Sequence, residues 1–425
     1  MVKLTYMLAG IALILVVTML GVWLACQPTS ADQTVWAIQF GTTRDDNAIA
    51  VRRAPSGNLY VTGSTDGDLF GTGAGEEDLY VAKYTPGGQL LWSRQIGSPA
   101  HEWAGLYVDQ NENLYLYGET TGELYGPEFG QEDAFVVKMN QDGTVLWAKQ
   151  VGTPEADAAC GVAVDGQGSV FVAYSTAGSL FGTNSDLGYD DLCLAKYDKD
   201  GNLLWSVQIG TEGDDVVNDI TLGTDGCVYV TGHTGGLFGT DDGVDDVFIA
   251  KYSPTGQLQW GRQYTSSLMS DATAIRAAED GSIYVGGWCN VSDTPNDSEA
   301  DGFLARYDSF GNQLWKRVIS SPCPEGVQVL ALGPGSQVYA AGFTTGHLYA
   351  QNAGEPDTYQ DVFVVRFDQL GSQTWSHQFG TCADDWPLGM DVGSQGVIYI
   401  CGVTRGSLYG TNLGKEDAFL ATFSQ

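Results

Sequence analysis

An all-β ring of seven four-stranded antiparallel sheets, a seven-bladed β-propeller, is the fold class this sequence predicts, and three observations predict it. Tryptophans 36, 92, 147, 205, 260, 315 and 375 recur at spacings of 56, 55, 58, 55, 55 and 60 residues, a period that marks a solenoid, an array or a propeller. Each interval holds four short extended segments with no helical periodicity between them, which is the content of one propeller blade. The first Trp segment, QTVWAIQFGT at Gln33, has no hairpin before it, and the chain stops at DAFLATFSQ, just where earlier copies turn into their Trp strand.

The four segments follow one order. The first is typified by AGLYVD (Ala104 to Asp109), the second by NLYVTG (Asn58 to Gly63), the third by DLYVAKY (Asp78 to Tyr84), and the fourth carries the Trp. Gly88, Gly143, Gly201, Gly256, Gly311 and Gly371 each precede their Trp by four residues. Glycine supplies the positive φ of a tight hairpin, so the third and fourth segments are read as paired neighbours. Asp32 takes that place before Trp36. The Trp36 segment is therefore expected to be the outer strand of the last blade, closing the ring and leaving no open sheet edge there.

The combination of YVTGST, GDLFGT, DLYVAKY and GGQLLW resembles the SBBP family of bacterial β-propeller repeats, over essentially all of Gln33 to Gln425. That resemblance implies a propeller, often exported, and no single activity. The turn YDKDGNLLW (Tyr197 to Trp205) looks like the Asp-box hairpins of sialidases, a turn solution shared among propellers. A sialidase would need clustered arginines for its acidic sugar, and 19 Lys plus Arg in the whole chain argue against one.

Residues 1–26 read as a signal peptide or membrane anchor, 27–33 as a short tether, and 34–425 as the propeller. Lys3 is the leader's one charge, and Leu4 to Ala25 is apolar apart from two Thr and a Tyr. That run is long enough to span a bilayer and also resembles an export signal. It ends in WLAC, similar to a bacterial lipoprotein box with Cys26 as the lipidated residue, although Trp23 stands where that box has Leu. Lipidation, an uncleaved anchor and plain secretion all export the body, and the first two hold it close to a membrane in the cell envelope.

The formal net charge is −33, and without Lys3 the remainder holds 18 basic against 52 acidic residues. Such a body repels nucleic acid and anionic lipid and favours cations or basic partners. The seven cysteines beyond Cys26 are scattered without a CxxC, which is neither a disulfide framework nor a zinc site. Cys193 is expected to be a small buried hydrophobe, and Cys382 with Cys401 is a candidate pair.

Six units place an acid ten residues after the Trp: Asp46, Glu102, Asp157, Asp215, Glu325 and Asp385, with Ser270 in the fifth. These acids enter the innermost strands and are expected to circle the channel mouth. They are a candidate Ca²⁺ site, set against local bracing of each loop. Lys83, Lys138, Lys196, Lys251, Arg306 and Arg366 close the third strands, where salt-bridging between strands is expected. His233 occupies a variable column shared with Ser64, Glu119, Ser175, Trp288, Phe343 and Val403. Together with Trp103 and Trp288, which lie outside the repeating Trp column, it is a candidate ligand-binding residue. Blade five departs most, replacing LFGT by a loop from Trp288 to Gly302 that is either a decayed repeat or an asymmetric site. The function expected is a binding or assembly platform for a protein or polysaccharide at the cell envelope. The rival is a polysaccharide hydrolase or lyase with its site at the channel mouth.

Overall fold

The computed structural model describes residues 34–184, 188–239, 244–264, 269–290, 300–354 and 358–424. Cys26 and the leader lie outside them, as does most of the blade-five loop. Among the described residues there are 28 strands and a single 3-10 turn at Pro334–Ser336. The strands form seven four-stranded antiparallel sheets. Within a blade the strands are called a to d from the channel outward, so blade one is Ala50–Arg53, Leu59–Thr65, Asp78–Tyr84 and Leu90–Ile96.

Ring closure is as expected. Blade seven consists of Asp385–Val392, Ile398–Thr404 and Asp417–Phe423, with Thr34–Phe40 as its d strand. The register sets Trp36 opposite Thr422 and Phe40 opposite Ala418. The Thr422 hydroxyl, 3.2 Å from the Trp36 carbonyl, donates to it across 386 residues of sequence.

The hairpin glycines before the Trp strands have φ between +74° and +83°, and their column has a second cause. Each lies under the indole of the preceding blade: a methyl at Gly88 would meet the Trp36 ring, one at Gly201 the Trp147 ring, and one at Gly256 the Trp205 ring. Each of these indoles also donates its N–H to a carbonyl of the same hairpin. Trp36 reaches Pro86 at 2.8 Å, Trp147 reaches Lys199 at 3.1 Å and Trp260 reaches Ser309 at 3.2 Å. The Gly and Trp columns are thus the two halves of one staple between neighbouring blades.

The basic column at the end of the c strands belongs to the same staple, which corrects the expectation of simple strand-to-strand salt bridges. Lys83 donates to Gln141 O, Lys138 to Lys199 O and Lys251 to Ser309 O, the carbonyls that also receive the Trp indoles. Their ammonium groups stand 4.9, 5.3 and 5.1 Å from the ring centroids of Tyr60, Tyr115 and Tyr229 in the neighbouring b strand, a cation–π arrangement. Ion pairs supplement this at Lys196–Asp165, Lys251–Asp225 and Arg306–Asp280. Cys193 is fully buried as expected. Cys401 is a buried free thiol, so the suggested pair with Cys382 is not formed.

Alanine at Gly201 places a side chain in the left-handed region, roughly 1–2 kcal/mol from the backbone alone, and drives a methyl into Trp147. Urea unfolding of Gly201→Ala is expected to show at least that loss. Gly87→Ala, beside an equivalent hairpin glycine but with only Thr85 Oγ1 at 3.9 Å, is expected to change stability by less than about 0.5 kcal/mol.

Candidate functional site

The connections from d to a and from b to c share one face of the ring, the loop face, and the acid column sits beneath it. Asp46, Glu102, Asp157, Asp215, Glu325 and Asp385 are at most 1% exposed. Each accepts the backbone N–H of the residue four places earlier: Thr42, Ser98, Thr153, Thr211, Ser321 and Thr381. In five of them the threonine closing the b strand of the same blade also donates its hydroxyl: Thr65, Thr120, Thr176, Thr234 and Thr344. Occupied in this way, one per blade, the six acids fit loop bracing better than a shared Ca²⁺ ring. Among the described residues no three His, Cys, Asp or Glu groups come together as a metal cluster.

A second column completes the brace and was not singled out from the sequence. A glutamine three residues after the Trp reaches into the b–c loop of its own blade. Gln150 donates to Gly122 O and Asp133 Oδ2, while its own carbonyl accepts the N–H groups of Leu124, Tyr125 and Gly126. Gln39, Gln95, Gln208 and Gln378 repeat the bonds to a loop carbonyl and to the first Asp of strand c. The LFGT loop is therefore shaped by this glutamine. In blade five Val318 occupies the position opposite Phe303, Ser270 replaces the acid, and Cys289 faces Ser270 where threonine closes other b strands. The parts of the brace are missing there together.

These braces press carboxylates against one another at blade junctions. A methyl at Gly380 would collide with Asp361 Oδ1 and lie 3.1 Å from Asp385 Oδ2, so the two acids face each other across a glycine. Oδ1 of Asp361 is buried with no hydrogen-bond partner among the described residues. Burial pushes Asp361 up to about 6 and Asp385 up to about 7, with Asp361 adding its charge to the latter.

One concavity on the loop face breaks the sevenfold pattern. The a strands of blades three to seven carry a bulge beside Cys160, Asn218, Thr273, Gln328 and Leu388. Blade two pairs Glu102–Val108 with Leu114–Thr120 without a register shift. The missing residue is visible in the sequence as a spacing of 18 rather than 19 between acid and threonine. At this place lies a cavity of about 470 Å³ lined by Trp103, Glu119 and Glu132 of blade two, Glu77 and His101, and Ala158 to Cys160 opposite. Trp103 and Glu119 are cross-strand partners, and Trp103 is 42% exposed.

The sequence candidates divide here. Trp103 and Glu102 line the cavity. His233 instead pairs with Asp271 at 3.1 Å. Burial alone would lower its pKa, but the hydrogen bond and charge of Asp271 raise it. Trp288 stands opposite Asp271 in strand pairing. The structure therefore does not gather His233, Trp288 and Trp103 into one site.

No family model matches the chain, so the SBBP resemblance rests on its repeat residues. The chain is 27% identical over 212 residues to regulatory protein FlaEY of Caulobacter vibrioides, covering 44% of this chain and 22% of that one. It is 24% identical over 263 residues to an uncharacterized WD repeat-containing protein, L264, of Acanthamoeba polyphaga mimivirus, covering 48% and 19%. These alignments span about a fifth of those relatives. Among solved structures it is similar to the WD40 β-propeller domain of Doa1, with a TM-score of 0.53 at 11% identity and coverage of 92% and 96%. The WD40 domain of Neurospora crassa Pan2 gives 0.51 at 10% identity, covering 89% and 90%. At such identities the likeness shows the propeller fold alone.

Because Asp361 and Asp385 titrate above the ordinary aspartate range when folded, ionising them opposes folding. Their contribution is most favourable below about pH 4 and is lost as pH rises to about 7. Asp361→Asn keeps an oxygen for Gln378 and Ala353 and turns the orphan oxygen into a donor aimed at Asp385. Thermal melts are expected to show a higher Tm for this variant than for wild type at pH 7.5, with the gain shrinking at pH 4.5. An equal loss at both pH values would contradict the repulsive pair.

Proposed function

We propose that this chain is an exported propeller held at a membrane of the cell envelope, where its loop face serves as a platform for a basic segment of a partner protein. The observation that carries this reading is the segregation of charge between the two faces. The c-strand Lys and Arg residues are spent on the opposite, hairpin face, where Lys83, Lys138, Lys251 and Arg306 bind hairpin carbonyls. Arg405 and Lys415, which do lie on the loop face, are engaged by Asp384, Glu416 and Asp45, and Arg44 there stands close enough to Asp66 to offset part of its charge.

Uncompensated acids remain there. Burial, with Glu132 and Glu77 adding charge, pushes Glu119 up to about 7. Burial and Asp214 push Asp190 up to about 6. A basic partner relieves this repulsion, and the negative face steers its approach. Export and anchoring rest on the apolar run before Cys26 and on the repeat's resemblance to a family that is often exported.

Two measurements test the parts separately. Full-length protein in detergent is expected to bind an oligolysine peptide at 50 mM NaCl and to release it at 500 mM, because exposed charges are screened beyond a few ångströms at high salt. Oligoglutamate and a neutral glucan oligosaccharide are expected not to bind. Equal binding of the acidic peptide, or none of the basic one, would overturn the platform. For the anchor, labelled fatty acid is expected in the wild-type protein and to be absent from Cys26→Ser. Label retained by the variant would overturn lipidation at Cys26.

A further inference from the structure

Resting on the platform reading, we propose that the cavity of blade two is the anchor subsite of that face and takes an arginine side chain from the partner. Its chemistry is an aromatic wall and carboxylates that lack partners. Glu102 is occupied by Ser98 and Thr120, and Glu77 accepts from Ser64 and meets His101. The side chains of Glu119 and Glu132 have no such bond or ion pair among the described residues, and no Lys or Arg lines the cavity.

Size and shape narrow the ligand. About 470 Å³ lies within the roughly 300–1,000 Å³ of pockets that enclose small ligands. Part of the wall is apolar, with Trp103 on one side and Ala158 and Ala159 opposite, which suits a weakly hydrated planar cation over a hydrated metal ion. A guanidinium stacks on an indole and presents its N–H fork to carboxylates. A lysine ammonium offers neither the plane nor the fork. A neutral sugar would stack on Trp103 but leave two carboxylates facing each other without a counter-charge.

The site is also placed to discriminate. At the positions of Trp103 and Glu119, blade three pairs Ala158 with Ser175, blade four Val216 with His233, and blade six Gly326 with Phe343. Blade five has the same chemistry with the two strands exchanged, Asp271 opposite Trp288, but its carboxylate is already engaged by His233 and Asn218, whereas no such bond holds the Glu119 side chain among the described residues.

Calorimetric titration of the full-length protein with N-acetyl-arginine amide tests this, with the citrulline and lysine analogues and a neutral glucan oligosaccharide as the other arms. The arginine derivative is expected to bind in the millimolar range, and citrulline, which keeps the shape without the charge, not at all. Glu119→Gln and Trp103→Ala are each expected to weaken binding by at least about tenfold, on the order of a single charge-assisted or cation–π contact, with an unchanged melting profile confirming the fold. No heat from the arginine derivative, equal binding of citrulline, or binding of the glucan instead would overturn the subsite. If oligolysine binds wild type and Glu119→Gln alike while the arginine derivative fails, the subsite falls and the platform stands. If the arginine derivative binds and oligolysine does not, the platform falls and the subsite remains.

Discussion

Blade seven gains its fourth strand, and the ring its closure, only when Thr34–Phe40 lies against Asp417–Phe423. The closing strand brings more than backbone pairing. Trp36 joins the staple series, with its indole over Gly88 and its N–H on Pro86, so it links blade seven to blade one as Trp92 links blade one to blade two. Gln39 likewise organises the last b–c loop through Gly406 and Asp417. One seven-residue segment thus supplies a sheet edge, an interblade staple and a loop brace.

The two faces divide their labour through side-chain chemistry. On the hairpin face, positive charge is consumed: ammonium groups sit over tyrosines and cap carbonyls of the next blade. On the loop face, carboxylates are buried under their own loops, and their satisfaction by threonine, serine and glutamine is incomplete. Burying carboxylates costs free energy unless donors surround them, and here that cost is spread over repeated junctions such as Asp361 with Asp385. The same arrangement that fixes the loops leaves a face that gains from a cation brought by a partner.

Architecture was legible because it is written in repetition. The Trp period, the hairpin glycines and the split first unit led to the blade count and the closure, since a ring turns each local rule into seven copies. The staple was half legible: glycine and tryptophan were each recognised, but their contact joins residues about fifty positions apart in different blades, and no local pattern reveals it. The glutamine column was overlooked because glutamine carries no strong structural signature until its loop is seen around it. Charge columns were misread in part for the same reason, as Lys83 and Lys138 serve the following blade as well as their own. The cavity was hardest to see, since it arises from one missing residue between Glu102 and Thr120 and not from a motif.

Amide hydrogen exchange at Thr34–Phe40 tests the closed ring most directly. Paired as described, the inward-bonded amides of this segment exchange as slowly as those of the corresponding outer strands, such as Leu203–Ile209, and rise with them as denaturant is added, because an edge sealed into a cooperative ring opens only with its sheet. Exchange at the rate of an unpaired segment, with Leu203–Ile209 still protected, would contradict the closure.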